Sequence, residues 1–125
     1  MKSGPIAWLC VALTILLTIY GQLIVKWQVL KRGRLPDDLH GKLTFFVGFF
    51  LSPWVLSVLL ATGVAAVSWV AALSQLELSR AYPFTALSFV TVLLLSAAFF
   101  GESITTAKLA GVGLVIAGLV VGARL

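Results

Sequence analysis

Acidic residues are nearly absent. The 125 residues contain four, Asp37, Asp38, Glu77 and Glu102, and none lies inside a long apolar run. A proton-coupled exporter of cations normally needs a carboxylate at membrane depth to hold the proton and the cation, so this absence argues against that chemistry. Histidine and cysteine occur once each. Cys10 can form no intramolecular disulfide and leaves the redox compartment unread. His40 sits in a polar loop and is read as solvated. No histidine, cysteine and carboxylate cluster has metal-ligand spacing, and neither a metal nor a cofactor is expected. Charge as a whole is low, 10% of residues against 61% hydrophobic. A soluble domain of this size could not bury so much apolar surface.

What is present is apolar sequence in blocks. Uncharged runs extend from Ile6 to Val25, Pro53 to Leu76, Ala81 to Gly101 and Leu109 to Ala123. A spanning helix needs roughly 20 such residues. The fourth run reaches that length if its helix starts near Ile104, since Lys108 would lie one turn in and can snorkel to the headgroups. Lipid tolerates helices or a closed barrel; these runs do not alternate in polarity, so helices follow. The first run is too long for a signal-peptide core, and it ends in Gly21-Gln22 and Lys26 without a small-residue cleavage pattern. The expected fold is an all-α membrane protein. It is a bundle of four transmembrane helices over about 6–27, 53–76, 80–100 and 104–123, in one domain covering 1–125, with a short interfacial segment before the second span.

The net charge of +5 would suit nucleic acid, but its placement does not. Lys31, Arg32, Arg34 and Lys42 crowd one loop beside the membrane, where anionic headgroups are the natural partner. With Lys26 and Lys108 they put six cations on the side of the first and third loops, against Lys2, Arg80 and Arg124 opposite. That bias predicts these loops in the cytoplasm and both termini outside.

The first loop, Leu30 to Lys42, holds Gly33, Pro36 and Gly41. Residues 43–51, LTFFVGFFL, are too few to span and read as a segment lying in the interface; one long helix from Thr44 to Leu76, kinked at Pro53, is the alternative. Ser52-Pro53 reads as an N-cap followed by proline at the first helical position. Ser79 can cap the third span, with Pro83 in its first turn, and Thr105 can cap the fourth. The turns are tight, so neighbouring helices must run antiparallel.

The first helix carries Thr14, Thr18, Gln22 and Lys26 at spacings of four, which places them on one face, with Gly21 beside them to admit another group. Lys26 at the headgroup level with an amide one turn deeper suits an anion such as a phosphate. Equally, Lys26 and Trp27 form an interfacial anchor and the threonines bond to their own helix. An amide at depth, however, needs partners. In the second helix Ala61, Ala65, Ser68, Ala72 and Gln75 share a face of mostly small residues, which favours close packing, and Trp69 can form a cavity wall. The third presents Tyr82, Thr85 and Ser88. In the fourth, Gly111 opens a glycine-rich stretch and Gly118 and Gly122 form a GxxxG pair. Four short helices enclose little room, so self-association around a shared cavity is expected.

Several of these stretches together resemble the drug/metabolite transporter superfamily, EamA-like and small multidrug resistance-like. They are Gly21-Gln22 with Lys26, Ser52-Pro53-Trp54, Trp69, Leu78 to Phe84 with Ala86-Leu87-Ser88, and Phe100 to Ser103. The chain is most similar to small subunits that flip aminoarabinose-phosphoundecaprenol. It lacks the glutamate that multidrug exporters carry in the first helix, near Thr18, as the lipid-phosphate branch also does. The resemblance implies a multi-pass protein of the bacterial inner membrane, not an enzyme. It would be a homodimer, or a heterodimer with a similar small subunit, moving a polyprenyl-phosphate-linked sugar between leaflets. Its partners would be that lipid and membrane lipids, with no nucleic acid. In that picture Lys26 and Gln22 hold the phosphate, joined by Arg80 or Arg34; Tyr82, Ser88 and Trp69 line the path of the head, and Thr18 is a further substrate-binding residue. A small-cation or metabolite exporter and a non-transporting accessory subunit of a lipid-glycosylation system are the alternatives.

Overall fold

The computed structural model describes residues 4–124; Lys2 and the Arg124 side chain, both counted in the charge bias, lie outside what it describes. The described residues form helices joined by short turns, with no strand among them. Helix α1 spans Pro5–Arg32, α2 Leu39–Phe50 and α3 Pro53–Leu73. Helix α4 covers Leu78–Phe100, and α5 is Thr106–Arg124. Four of these, all but α2, are long and apolar enough to cross a membrane. The protein is therefore a multi-pass membrane protein.

Local chemistry sets the helix ends, and several differ from expectation. The first helix continues to Arg32 and stops at Gly33, whose φ of 82° supplies the left-handed turn that a side chain would resist. The loop is therefore 33–38, shorter than Leu30 to Lys42. The interfacial segment starts earlier than residue 43, because Asp38 caps α2 by accepting from the Gly41 N–H at 2.9 Å. It is a separate helix and not part of one kinked rod. Ser52 is the N-cap residue of α3 and Pro53 its first residue, but the Ser52 side chain makes no capping bond. Its hydroxyl turns instead to Gln28 Oε1, at 3.4 Å. Ser79 does not cap α4; that helix starts at Leu78 behind Glu77. Pro83 consequently falls inside it, and Tyr82–Thr85 tightens into a 3₁₀ turn, as expected where proline removes an i→i−4 bond. Thr105 does cap α5, accepting from the Lys108 N–H at 3.1 Å. Lys108 bends its ammonium back to the Ser103 carbonyl, 2.8 Å away, toward the helix end.

Helix α1 packs mainly on α3 and next on α4, while α5 touches little beyond α4. The buried residues of α3 are Val55, Val58, Ala61, Ala65, Ser68 and Ala72, a single face at helical spacing. Small residues dominate it because lipid tails are as apolar as a helix surface; close van der Waals contact, not exclusion from water, must hold the pair together. A Cβ placed on Gly21 would meet Val58 Cγ1 at 3.3 Å, so α1 and α3 approach most closely where glycine allows it. The most buried cluster lies at the other end of α1, where Ala7 and Val11 meet Ala72, Leu76 and Ala81.

Helix α2 is tied to the end of α1. Arg32 Nη2 donates to the Gly48 carbonyl at 2.8 Å; beside it, Trp27 meets Trp54 of α3 edge to face at 5.2 Å, and Lys31 lies over the Trp27 ring. In α5 only Val112 is buried among the described side chains, and a Cβ placed on Gly111, Gly118 or Gly122 would meet nothing within 4 Å.

Candidate functional site

The polar stripe of α1 divides into three environments. Thr14 donates to its own helix at the Cys10 carbonyl, 2.8 Å, and lies 3.4 Å from the Ala65 carbonyl across on α3. Thr18 likewise bonds back, to the Thr14 carbonyl at 2.8 Å. These hydroxyls are spent locally, as threonines in apolar helices commonly are. Gln22 is different: its side chain is exposed and no hydrogen bond joins its amide to a described residue, although it sits within an apolar span. Thr18, Gly21 and Gln22 line a recess of about 250 Å³ whose far wall is Val58, Thr62 and Ala65 of α3. The recess exists because Gly21 contributes no side chain where the helices approach.

Lys26 lies one turn beyond Gln22 but does not line this recess. Its ammonium is 3.5 Å from Glu102 Oε1 in the α4–α5 turn, the only ion pair among the described residues. Both side chains are nearly half exposed, 46% and 41%. Exposed pairs of this kind contribute at most about 1 kcal/mol, so Glu102 holds the lysine in place without committing its charge. Ser103 of the same turn and Lys108 in the first turn of α5 line, with Glu102, a second recess of about 220 Å³ against Phe89 and Ser96. This end of the bundle therefore offers cations and an unpartnered amide, the donors that an anion needs.

The remaining candidates lie elsewhere. The Arg80 guanidinium sits 5.9 Å over the Trp8 ring. Trp8 and Lys26 are eighteen residues apart on one helix, roughly 27 Å at 1.5 Å per residue. Arg80 and Lys26 thus occupy opposite ends of the bundle and do not reach one phosphate together in this conformation. Arg34 follows the end of α1 on the Lys26 side. Trp69 packs against the Ala7 cluster and meets Tyr82 edge to face at 6.3 Å. Tyr82 is exposed, and the Ser88 hydroxyl bonds back to the Thr85 carbonyl at 2.6 Å. Trp69 and Tyr82 therefore belong to the Arg80 end and not to the recess at Gln22.

Three polar features escaped the sequence. Glu102 as the partner of Lys26 has no local signal, since the two are joined only by the fold. Gln28 is 5% exposed, and its Nε2 has no partner; a polar residue two positions after Lys26 looks solvated until α3 covers it. Tyr20 shares a hydrogen bond of 2.7 Å with Ser57, a polar link between α1 and α3. Among the described residues no group of three potential metal ligands is assembled.

Comparison with known proteins places this architecture. The chain is 36% identical over 110 residues to the "Probable 4-amino-4-deoxy-L-arabinose-phosphoundecaprenol flippase subunit ArnE" of Aeromonas hydrophila, covering 88% of this chain and 90% of that protein. It is 32% identical to the ArnE of the same description from Pectobacterium atrosepticum, covering 90% and 94%. It is 37% identical to the corresponding probable subunit ArnF of Pseudomonas paraeruginosa, covering 96% and 87%. No protein-family model matches the chain, and no solved structure does.

Proposed function

The chain belongs to the family of aminoarabinose-phosphoundecaprenol flippase subunits that includes ArnE and ArnF, and on that premise we propose that it moves an undecaprenyl-phosphate-linked sugar between the leaflets of the bacterial inner membrane. It acts as a transporter and not as a catalyst. The observation that carries this reading is the unpartnered Gln22 amide in a recess of α1, one turn from Lys26. An amide without a partner at membrane depth is costly. It is relieved if a polar headgroup passes along α1 or if a second subunit lies there. Lys26 supplies the charge for the phosphate and Gln22 the extra donors. The isoprenoid tail stays in lipid, so only the head needs a path.

A single copy has little enclosed volume. A Cβ placed on Gly111, Gly118 or Gly122 would meet nothing within 4 Å, which leaves room on α5 for a second subunit, either an identical copy or the complementary family member. Rocking of two such subunits would expose the head to each leaflet in turn. The cation-exporter reading finds no support, since Glu77 and Glu102 both lie at helix ends.

The test is binding of undecaprenyl phosphate to protein in lipid nanodiscs, with an aromatic cation as control. Lys26→Ala is expected to weaken lipid binding by about ten- to a hundredfold, the range of one charge-assisted hydrogen bond, with Lys26→Arg retaining most of it. Full lipid binding by a folded Lys26→Ala protein would discard the assignment.

A further inference from the structure

A larger cavity, of about 540 Å³, lies at the end of the bundle away from Lys26. Trp8 of α1, Glu77, Ser79, Arg80 and Phe84 at the start of α4, and Gly122 near the end of α5 line it. It joins three elements far apart in sequence, and its size falls in the range of small-molecule sites, roughly 300 to 1,000 Å³.

Glu77, Ser79 and Arg80 are all exposed where they line the cavity. Glu77 and Arg80 line one cavity with opposite signs, yet no salt bridge joins them, and neither side chain has a hydrogen-bond partner among the described residues. The Arg80 guanidinium lies 5.9 Å over the Trp8 ring, a cation–π contact that leaves its N–H groups free. The recess therefore offers one anion-binding group and one cation-binding group that do not satisfy each other. Its complement is a zwitterion with a phosphate and an ammonium on one small body. Trp8 and Phe84, edge to face at 5.1 Å, form an apolar wall on which the C–H face of a sugar ring can lie, and the Ser79 hydroxyl is available to a ring hydroxyl. Gly122 presents no side chain to narrow the opening.

We infer that this cavity is a second headgroup site, selective for amino-sugar phosphates, on the membrane face opposite Lys26. The inference rests on the flippase reading for its biological meaning, because a transported head must be received where the Lys26 site is not. It stands on this cavity for its chemistry: Arg80 takes the phosphate, Glu77 takes the ammonium, and the amine is distinguished from a hydroxyl by charge.

The experiment uses tail-free probes on the full chain in nanodiscs, in a Lys26→Ala background so that the other end is silent. 4-Amino-4-deoxyarabinose 1-phosphate is compared with arabinose 1-phosphate, which lacks the amine, by calorimetry and saturation-transfer NMR. Preference for the amino sugar by about tenfold is expected, abolished by Glu77→Gln, with both probes weakened by Arg80→Gln. If Arg80→Gln does not fold, the Glu77→Gln comparison decides alone. Equal affinity for the two probes, or a preference that survives Glu77→Gln, overturns the site. Leaflet transfer of the lipid-linked sugar by the native chain with its partner subunit is measured separately. Transfer with no effect of Glu77→Gln on selectivity discards this site and keeps the function. Glu77-dependent selectivity without transfer keeps the site and discards the function.

Discussion

Replacing Glu102 by glutamine should make the protein bind undecaprenyl phosphate more tightly. Lys26 Nζ is 3.5 Å from Glu102 Oε1, and both groups are partly solvated. A phosphate oxygen accepting from Lys26 would sit roughly 3 Å from the ammonium and therefore roughly 6 Å from the carboxylate charge. Repulsion over that distance is about 3 kcal/mol at an effective dielectric constant near 20 and about 0.7 kcal/mol in water. Because the groups are near half exposure, the value lies toward the water limit, about 1 kcal/mol, which is roughly fivefold in Kd. Loss of the ion pair itself should change stability by less than about 1 kcal/mol. Undecaprenyl phosphate is the right probe because it has no amine for Glu102 to attract. The assay is titration of the native, Glu102→Gln, Lys26→Ala and doubly substituted proteins in nanodiscs at low salt, with thermal unfolding in parallel. The gain should vanish in the Lys26→Ala background, as coupled partners require, and shrink near 1 M salt, where screening acts within about 3 Å. Unchanged or weaker binding by Glu102→Gln, in a protein that melts as the native one does, would refute the idea that Lys26 awaits an anion.

Gly21→Leu should force α1 from Val58 and fill the recess beside Gln22, costing about 1–3 kcal/mol as overpacking does and abolishing leaflet transfer; unfolding in detergent and a transfer assay check both. Gln28→Leu should leave stability unchanged or raise it by about 1 kcal/mol, because it removes the orphaned Nε2 donor at the expense of only a long contact to Ser52; a drop of several degrees in melting temperature would mean the amide has a partner in the membrane. Gly118→Leu should leave the folded subunit intact, since nothing lies within 4 Å of that position, but should disrupt subunit association, measured by cross-linking or single-molecule photobleaching in nanodiscs.

The helices were legible because each rests on local chemistry. The long apolar runs, the proline at residue 53 and the Thr105 cap act within a turn or two of themselves, whereas Gly33 was read only as a loop residue and not as the stop of α1. Ser52 marks where that logic stopped. Its position as the N-cap followed from sequence, but its hydroxyl was drawn away by Gln28, a residue on another helix. Pro83 was placed correctly in the third span but not in its turn, because the helix start is set by Glu77 and packing of Ala81, and not by the capping power of Ser79. Among the site candidates, Gln22 was legible as a polar group needing a partner. The loops already put Arg80 opposite Lys26, yet the reading that joined both at one phosphate did not use this, and the position of Trp8 under Arg80 makes the distance plain.

Sequence alone determined that this chain lives in a bilayer, that it crosses as helices, and that no acid lies within a span. Length and composition set those properties, since lipid offers backbone groups no other partners. Tertiary structure alone decided which faces meet: Gly21 against Val58, Lys26 beside Glu102, Gln28 beneath Ser52, and open space around the α5 glycines, where an added Cβ would meet nothing within 4 Å. The reason is the solvent. In water an apolar stripe tells which side of a helix is inside, but in lipid every side is apolar. Inner and outer faces then differ only in the size of their side chains and in how closely another helix can approach.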